Sequence, residues 1–199
     1  MSRPTSTSSS RRSGEPMADY WHAVAMLRFD RPLGLSELDD CFAAGTPAEG
    51  LVGHRRGRMV ATTFGYGLDG AFEALGRLWM PWRGKTFSRQ AAEGVNLFTA
   101  GGRRAIRLAF PRYRGLGDDE SGTSAFGFVT SIGPSVTHPG LTVLRLDYRA
   151  VAENPPFPVR RVLDELVQVG DGLFLGQALL WWGGRLRRVA WFSLEDLAG

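Results

Sequence analysis

From residue 95 onward the chain is cut into short apolar runs by turn residues at nearly regular intervals, and that punctuation constrains the fold more than any other feature. The runs cover 95–100, 104–110, 124–131, 141–148, 160–169, 173–182 and 186–194. Between them stand Gly101-Gly102, the glycine-rich stretch 115–122, Gly133-Pro134, Asn154-Pro155-Pro156, Gly170-Asp171-Gly172 and Gly183-Gly184. Segments of this length joined by such turns are hairpin strands, and a succession of them predicts an antiparallel sheet curled into a barrel or sandwich. Gly183-Gly184 is the clearest hairpin turn, because both positions of a two-residue loop need positive φ. The run 104–110, Arg-Ala-Ile-Arg-Leu-Ala-Phe, is read as a polar–apolar alternation and expected to be one of the strands.

The first half is more mixed. Residues 1–18 are rich in Ser, Thr, Arg and Pro with almost no apolar content, so they read as a disordered leader, and residues 19–199 as a single β-rich domain. A helix is expected over 36–44 with Ser36 as its N-cap, and a long strand over 50–64. A second helix is expected over 70–79, capped by Asp69, with Phe72, Leu75 and Trp79 on one face. With 199 residues of which 43% are hydrophobic, one core of good size can be filled. No apolar run reaches the roughly 18 residues a membrane helix needs, and no apolar signal region follows Arg11-Arg12, so the expectation is a cytoplasmic protein that does not insert into membranes.

Several function classes are disfavoured. The net charge of +4 comes from arginine pairs scattered among acids rather than from a basic helix or stripe, which argues against nucleic acid as partner. Cys41 is the only cysteine and reads as a small hydrophobe on its helix. The only histidines, His22, His54 and His138, have no ligand spacing, so no metal is expected. No P-loop, dinucleotide fingerprint or nucleophile elbow occurs, and no cofactor is expected.

The segment Trp82-Arg83-Gly84-Lys85-Thr86-Phe87 stands out because Lys85 is the only lysine among 24 basic residues. With Gly53-His54-Arg55-Arg56-Gly57 and Leu68-Asp69-Gly70 before it, the stretch 33–98 resembles the N-terminal half of the GXWXG family of bacterial proteins. That family carries a Gly-x-Trp-x-Gly strand, a Leu-Asp-Gly helix and a Trp-x-Gly-Lys-x-Phe segment in this order; Arg55 replaces its central tryptophan here. Asp147-Tyr148, Asn154-Pro155, 164–167 and 172–176 are similar to the closing hairpins of calycin-like proteins. The resemblance implies a mainly β, calycin/lipocalin-like antiparallel barrel with one or two short helices, and a single apolar ligand inside it. It implies no catalytic residue.

Lys85 either reaches into the barrel to meet a polar group of a ligand or lies over Trp82 as a structural tether. Asp164 and Glu165 are adjacent, so on a strand they face opposite ways; one of them facing inward would have a raised pKa and could serve as acid or base, while the plainer role is a salt bridge to Arg160, Arg161 or another arginine. Trp79 and Trp82, with Lys85 and Phe87, are the expected ligand contacts; core packing is the plainer role for most of the six tryptophans, and Trp181 and Trp182 cannot both face inward. The leading expectation is therefore binding of a small apolar or amphipathic molecule. A cofactor-independent cyclase or isomerase of secondary metabolism is the alternative, with Lys85, Asp164, Glu165 and Tyr148 as its candidate acid-base groups. A third reading, an interaction module whose arginines meet an acidic partner, and a homodimer both stay open.

Overall fold

The structure is a computed structural model that describes residues 16–63, 82–90, 92–119 and 122–197. Two helices open it, α1 (Pro16–Met26) and α2 (Arg31–Ala44). The strands are β1 (Thr46–Pro47), β2 (Gly53–Thr62), β3 (Trp82–Phe87) and β4 (Glu93–Phe98), then, after helix α3 (Ala100–Ala109), β5 (Gly117–Asp119), β6 (Gly122–Pro134) and β7 (Thr142–Asp147). A single 3-10 turn, Val159–Arg161, leads into β8 (Val162–Gly170), β9 (Leu173–Trp182) and β10 (Arg185–Asp196).

Eight strands close on themselves. Their order is β8-β7-β6-β4-β3-β2-β10-β9, and β9 pairs back onto β8, every pairing being antiparallel. Closure removes the unpaired edges that an open sheet of this size would expose. The product is a calycin-like barrel with a few short helices, as the hairpin punctuation and the resemblance led one to expect. The short strands β1 and β5 attach to the outer parts of β8 and β6. At the β9–β10 hairpin Trp182 pairs with Arg185, and the loop residues Gly183 and Gly184 have φ of 61° and 80°, the positive values expected of them.

Two cores share the barrel wall. The inner one gathers Phe87, Phe98, Phe128, Leu146, Leu166 and Phe192 among others. The outer one seats the α1–α2 pair on the wall through Tyr20, Leu38, Phe42, Val143, Val167, Leu175 and Trp191. A strand under those helices is buried on both faces, so β8 reads as a nearly continuous buried run from Asp164 to Val167 rather than as an alternation.

Three local expectations are corrected. Residues 16–18 belong to the first turn of α1 rather than to a leader. The next helix starts at Arg31, not Ser36: Asp30 is its N-cap, accepting from the Leu33 amide at 3.0 Å, and Pro32 fits the first turn where no amide partner is needed. Of residues 104–110, expected as a strand, 104–109 belong to α3 and Phe110 is its C-cap. Gly102 and Ile106, four apart, are the buried positions there, whereas Leu108, which strand alternation would pair with Ile106, is 78% exposed. The expected helix 70–79 lies outside the described residues.

Candidate functional site

The segment around Lys85 is shaped by close backbone approach. Gly84 has φ of 146°, and a Cβ there would lie 1.9 Å from the Arg55 carbonyl on β2. A Cβ on Gly57 would lie 2.4 Å from the Trp82 indole. Gly84 therefore lets the backbones of β2 and β3 approach closely, and Gly57 leaves the space against which the Trp82 indole packs. The β3–β4 register shifts between Trp82 and Gly84. That bulge brings Trp82 to the inner core although it is an odd number of residues from Lys85 and Phe87, which also face inward.

Lys85 Nζ donates to three acceptors: Asn96 Oδ1 at 2.8 Å, Tyr148 Oη at 2.6 Å and Asp164 Oδ2 at 2.9 Å. Its three protons are thereby used. The rings of Trp82, Phe128, Tyr148 and Phe192 surround the ammonium with centroids 5.1 to 5.5 Å away, within cation–π range. The rest of the network is directional. Trp82 Nε1 donates to Asn96 Oδ1 at 3.1 Å, Asn96 Nδ2 donates to the Phe126 carbonyl at 2.9 Å and to Tyr148 Oη at 3.0 Å, and Tyr148 donates to Asp164 Oδ2 at 2.9 Å. Phe126 offers that carbonyl from a left-handed backbone, φ 54°, and its amide is held by Tyr113 Oη at 2.6 Å. A bulky residue adopts that conformation only where its surroundings impose it.

All four polar residues are buried, Lys85 at 2% and Asp164 at 3% exposure. Desolvation lowers the Lys85 pKa, with the charge and hydrogen bond of Asp164 opposing it. Desolvation, and then the Asp164 charge, push Tyr148 well above the usual phenol value, so the phenol keeps its proton and donates it to the carboxylate. Asp164 Oδ1 is buried and accepts no hydrogen bond. A carboxylate oxygen left this way inside a protein is costly, which makes it the natural point for a ligand donor.

A concave site lies where β3 ends and β4 begins. This groove of about 460 Å³ is lined by Ala48, Leu51, Phe87, Ile132 and Leu144, with Glu49 and Glu93 at its edge. Phe87 meets Phe128 edge-on at 5.6 Å, and Phe128 is one of the rings around Lys85. Aromatic contact thus runs from groove to ammonium.

Of the residues singled out in the sequence, Trp82, Lys85, Phe87, Tyr148 and Asp164 are brought into one interior region. Trp79 lies outside the described residues. Glu165 faces away, beneath the 135–138 segment: it accepts from Ser135 Oγ at 2.7 Å, the Val136 amide at 2.7 Å and Gln177 Nε2 at 2.8 Å. The partner of Asp164 is Lys85, not Arg160 or Arg161. Trp191 packs in the outer core, and Trp181 and Trp182 are both exposed, at 42% and 55%. Arg55 pairs with Asp196 at 2.6 Å and donates to the Val52 carbonyl at 2.8 Å. Cys41 is a half-buried thiol whose pKa burial pushes up to about 11, unsuited to a nucleophile. Among the described residues no cluster of metal-ligating side chains occurs. Asn96 escaped the sequence reading, since a lone asparagine in an apolar run carries no motif. Its only hint was a polar residue at an inward position of the run 95–100.

No protein-family model matches the chain. No curated protein matches it either. Among solved structures the chain is similar to a protein from Thermomonospora curvata, at 13% identity and a TM-score of 0.47, with 92% of this chain and 100% of that one covered.

Proposed function

We propose that the barrel binds a small amphipathic molecule, with its apolar body toward the groove and its polar head on the network of Lys85, Asn96, Tyr148 and Asp164. The observation that carries this reading is the buried Lys85–Asp164 pair with one carboxylate oxygen left without a donor. A buried ion pair adds little stability over apolar packing of the same volume, so its presence in an aromatic interior points to recognition rather than to folding. The ligand head supplies the missing donor to Asp164 Oδ1, and Phe87 turns aside to admit the body. The likeness of the motif segments to the GXWXG family, and of the closing hairpins to calycin-like proteins, is in keeping with this reading.

The test uses N-phenyl-1-naphthylamine, a neutral apolar probe with one N–H donor, whose fluorescence rises on binding. Saturable binding is expected in the native chain. Roughly ten-fold weaker binding is expected in a Lys85→Met/Asp164→Leu variant that keeps its melting temperature, as loss of a hydrogen bond to a charged group implies. Equal binding by the two proteins would remove the network from the site.

A second reading is favoured by Tyr148. Its phenol touches both Lys85 and Asp164, which is the contact a proton relay needs, and a cyclase or isomerase without cofactor would use such a relay on a bound substrate. Native mass spectrometry of the purified chain identifies a bound molecule. Uptake of deuterium into that molecule in heavy water, lost in Tyr148→Phe, would favour catalysis over carriage.

A further inference from the structure

The opposite end of the barrel carries a second concave site that the interior network does not use. Strand direction places it there: β7 ends, β8 begins and β9 ends at that side, whereas the groove lies where β3 ends and β4 and β7 begin. Its volume is about 430 Å³, and Arg149, Arg160, Arg161 and Trp181 line it. Arg149 follows Tyr148 beyond β7, Arg160 and Arg161 come from the 3-10 turn, and Trp181 is the penultimate residue of β9.

Three guanidiniums around one concavity repel each other unless negative charge lies among them, as it does beside three arginines elsewhere in the fold: Arg55 has Asp196, Arg103 has Asp118, and Arg188 has Asp39. Among the described residues, no carboxylate pairs with Arg149, Arg160 or Arg161, and no carboxylate lines the pocket. Arg160 Nε is buried without a hydrogen-bond acceptor. The missing acceptor and the missing negative charge call for the same thing, an anion. Guanidinium forks suit phosphate oxygens, which they take two at a time. The remaining wall is the half-exposed indole of Trp181, and Trp182 and Phe157 stand exposed beyond it with ring centroids 6.1 Å apart. A flat indole beside clustered cations selects a ligand that is both planar and anionic, and the volume suits a small molecule.

We propose that this end of the barrel is a binding site for a nucleotide phosphate, with the base stacked on Trp181 and the phosphate held by Arg149, Arg160 and Arg161. The site is independent of the interior network. A free mononucleotide and a residue of a single strand present the same chemistry, so both are tested.

The full chain is titrated by calorimetry at low salt with adenosine monophosphate, inorganic phosphate, adenosine and a short oligothymidylate. The variants are Arg160→Gln/Arg161→Gln, Trp181→Ala and the interior Lys85→Met/Asp164→Leu, each checked for native circular dichroism. Adenosine monophosphate is expected to bind more tightly than phosphate or adenosine alone. Its affinity is expected to fall roughly ten-fold or more in the arginine variant, as charge-assisted hydrogen bonds imply, and in Trp181→Ala to the level of phosphate. The interior variant is expected to bind it as the native chain does. An oligothymidylate that binds more tightly than the monophosphate and loses affinity in both surface variants identifies a strand as the source of the same ligand and supports the site. Binding of the monophosphate no tighter than phosphate, binding unchanged in the arginine variant, or oligonucleotide binding indifferent to Trp181→Ala would overturn it.

Discussion

Lys85 and Asp164 join opposite walls of the barrel. Their strands, β3 and β8, stand four places apart in either direction around the eight-stranded ring, yet Nζ and Oδ2 are 2.9 Å from each other. The pair therefore crosses the lumen.

Removing one partner should be far worse than removing both. Lys85→Met leaves Asp164 charged and buried, and a loss of about 3–5 kcal/mol is expected, whereas Lys85→Met/Asp164→Leu should fall within about 2 kcal/mol of the native chain. Urea denaturation of the two variants measures the difference; equal losses would mean that the pair is not coupled.

Asp164 and Glu165 should separate cleanly. Asp164→Asn is expected to weaken binding of N-phenyl-1-naphthylamine, while Glu165→Leu leaves it unchanged and lowers stability by about 1–3 kcal/mol, because Ser135 Oγ, the Val136 amide and Gln177 lose their acceptor. Measuring melting and binding on both variants checks the assignment of faces.

Stability should decline above pH 10. Burial raises the phenol pKa of Tyr20, Tyr113 and Tyr148, so the native chain keeps protons that the unfolded chain releases near the ordinary value of about 10. Above that pH the unfolded state binds fewer protons, and each further rise disfavours folding. Absorbance titration at about 295 nm should show these phenols ionising late and together with unfolding, and Tyr148→Phe should make the alkaline loss shallower.

Gly84→Ala should be among the most damaging single substitutions. A Cβ 1.9 Å from the Arg55 carbonyl, on a backbone with φ of 146°, forces β2 and β3 apart, and a loss of about 3 kcal/mol or more is expected. Thermal melting checks it, with Gly183→Ala, whose added Cβ would come no closer than 3.9 Å to another residue but which also has positive φ, as a milder comparison.

The turn residues and hairpin lengths were enough to specify an antiparallel β protein with its last hairpin at Gly183-Gly184, because turn chemistry is local and each hairpin sets its own register. Local pattern also singled out Trp82, Lys85 and Phe87, and it showed that Asp164 and Glu165 must face opposite ways. It failed at 104–110, expected as a strand, although Arg104 and Arg107 stand three apart as neighbours on a helix do, and Ile106 packs against the barrel from that helix. It failed again at the N-cap of α2, where Asp30 and Ser36 were both chemically suitable. What tertiary structure alone decided is which carboxylate meets the lysine and what else joins them. The closed ring brings residues 79 positions apart into contact and adds Asn96 and Tyr148 from two further walls, and no local spacing encodes a contact made across a lumen.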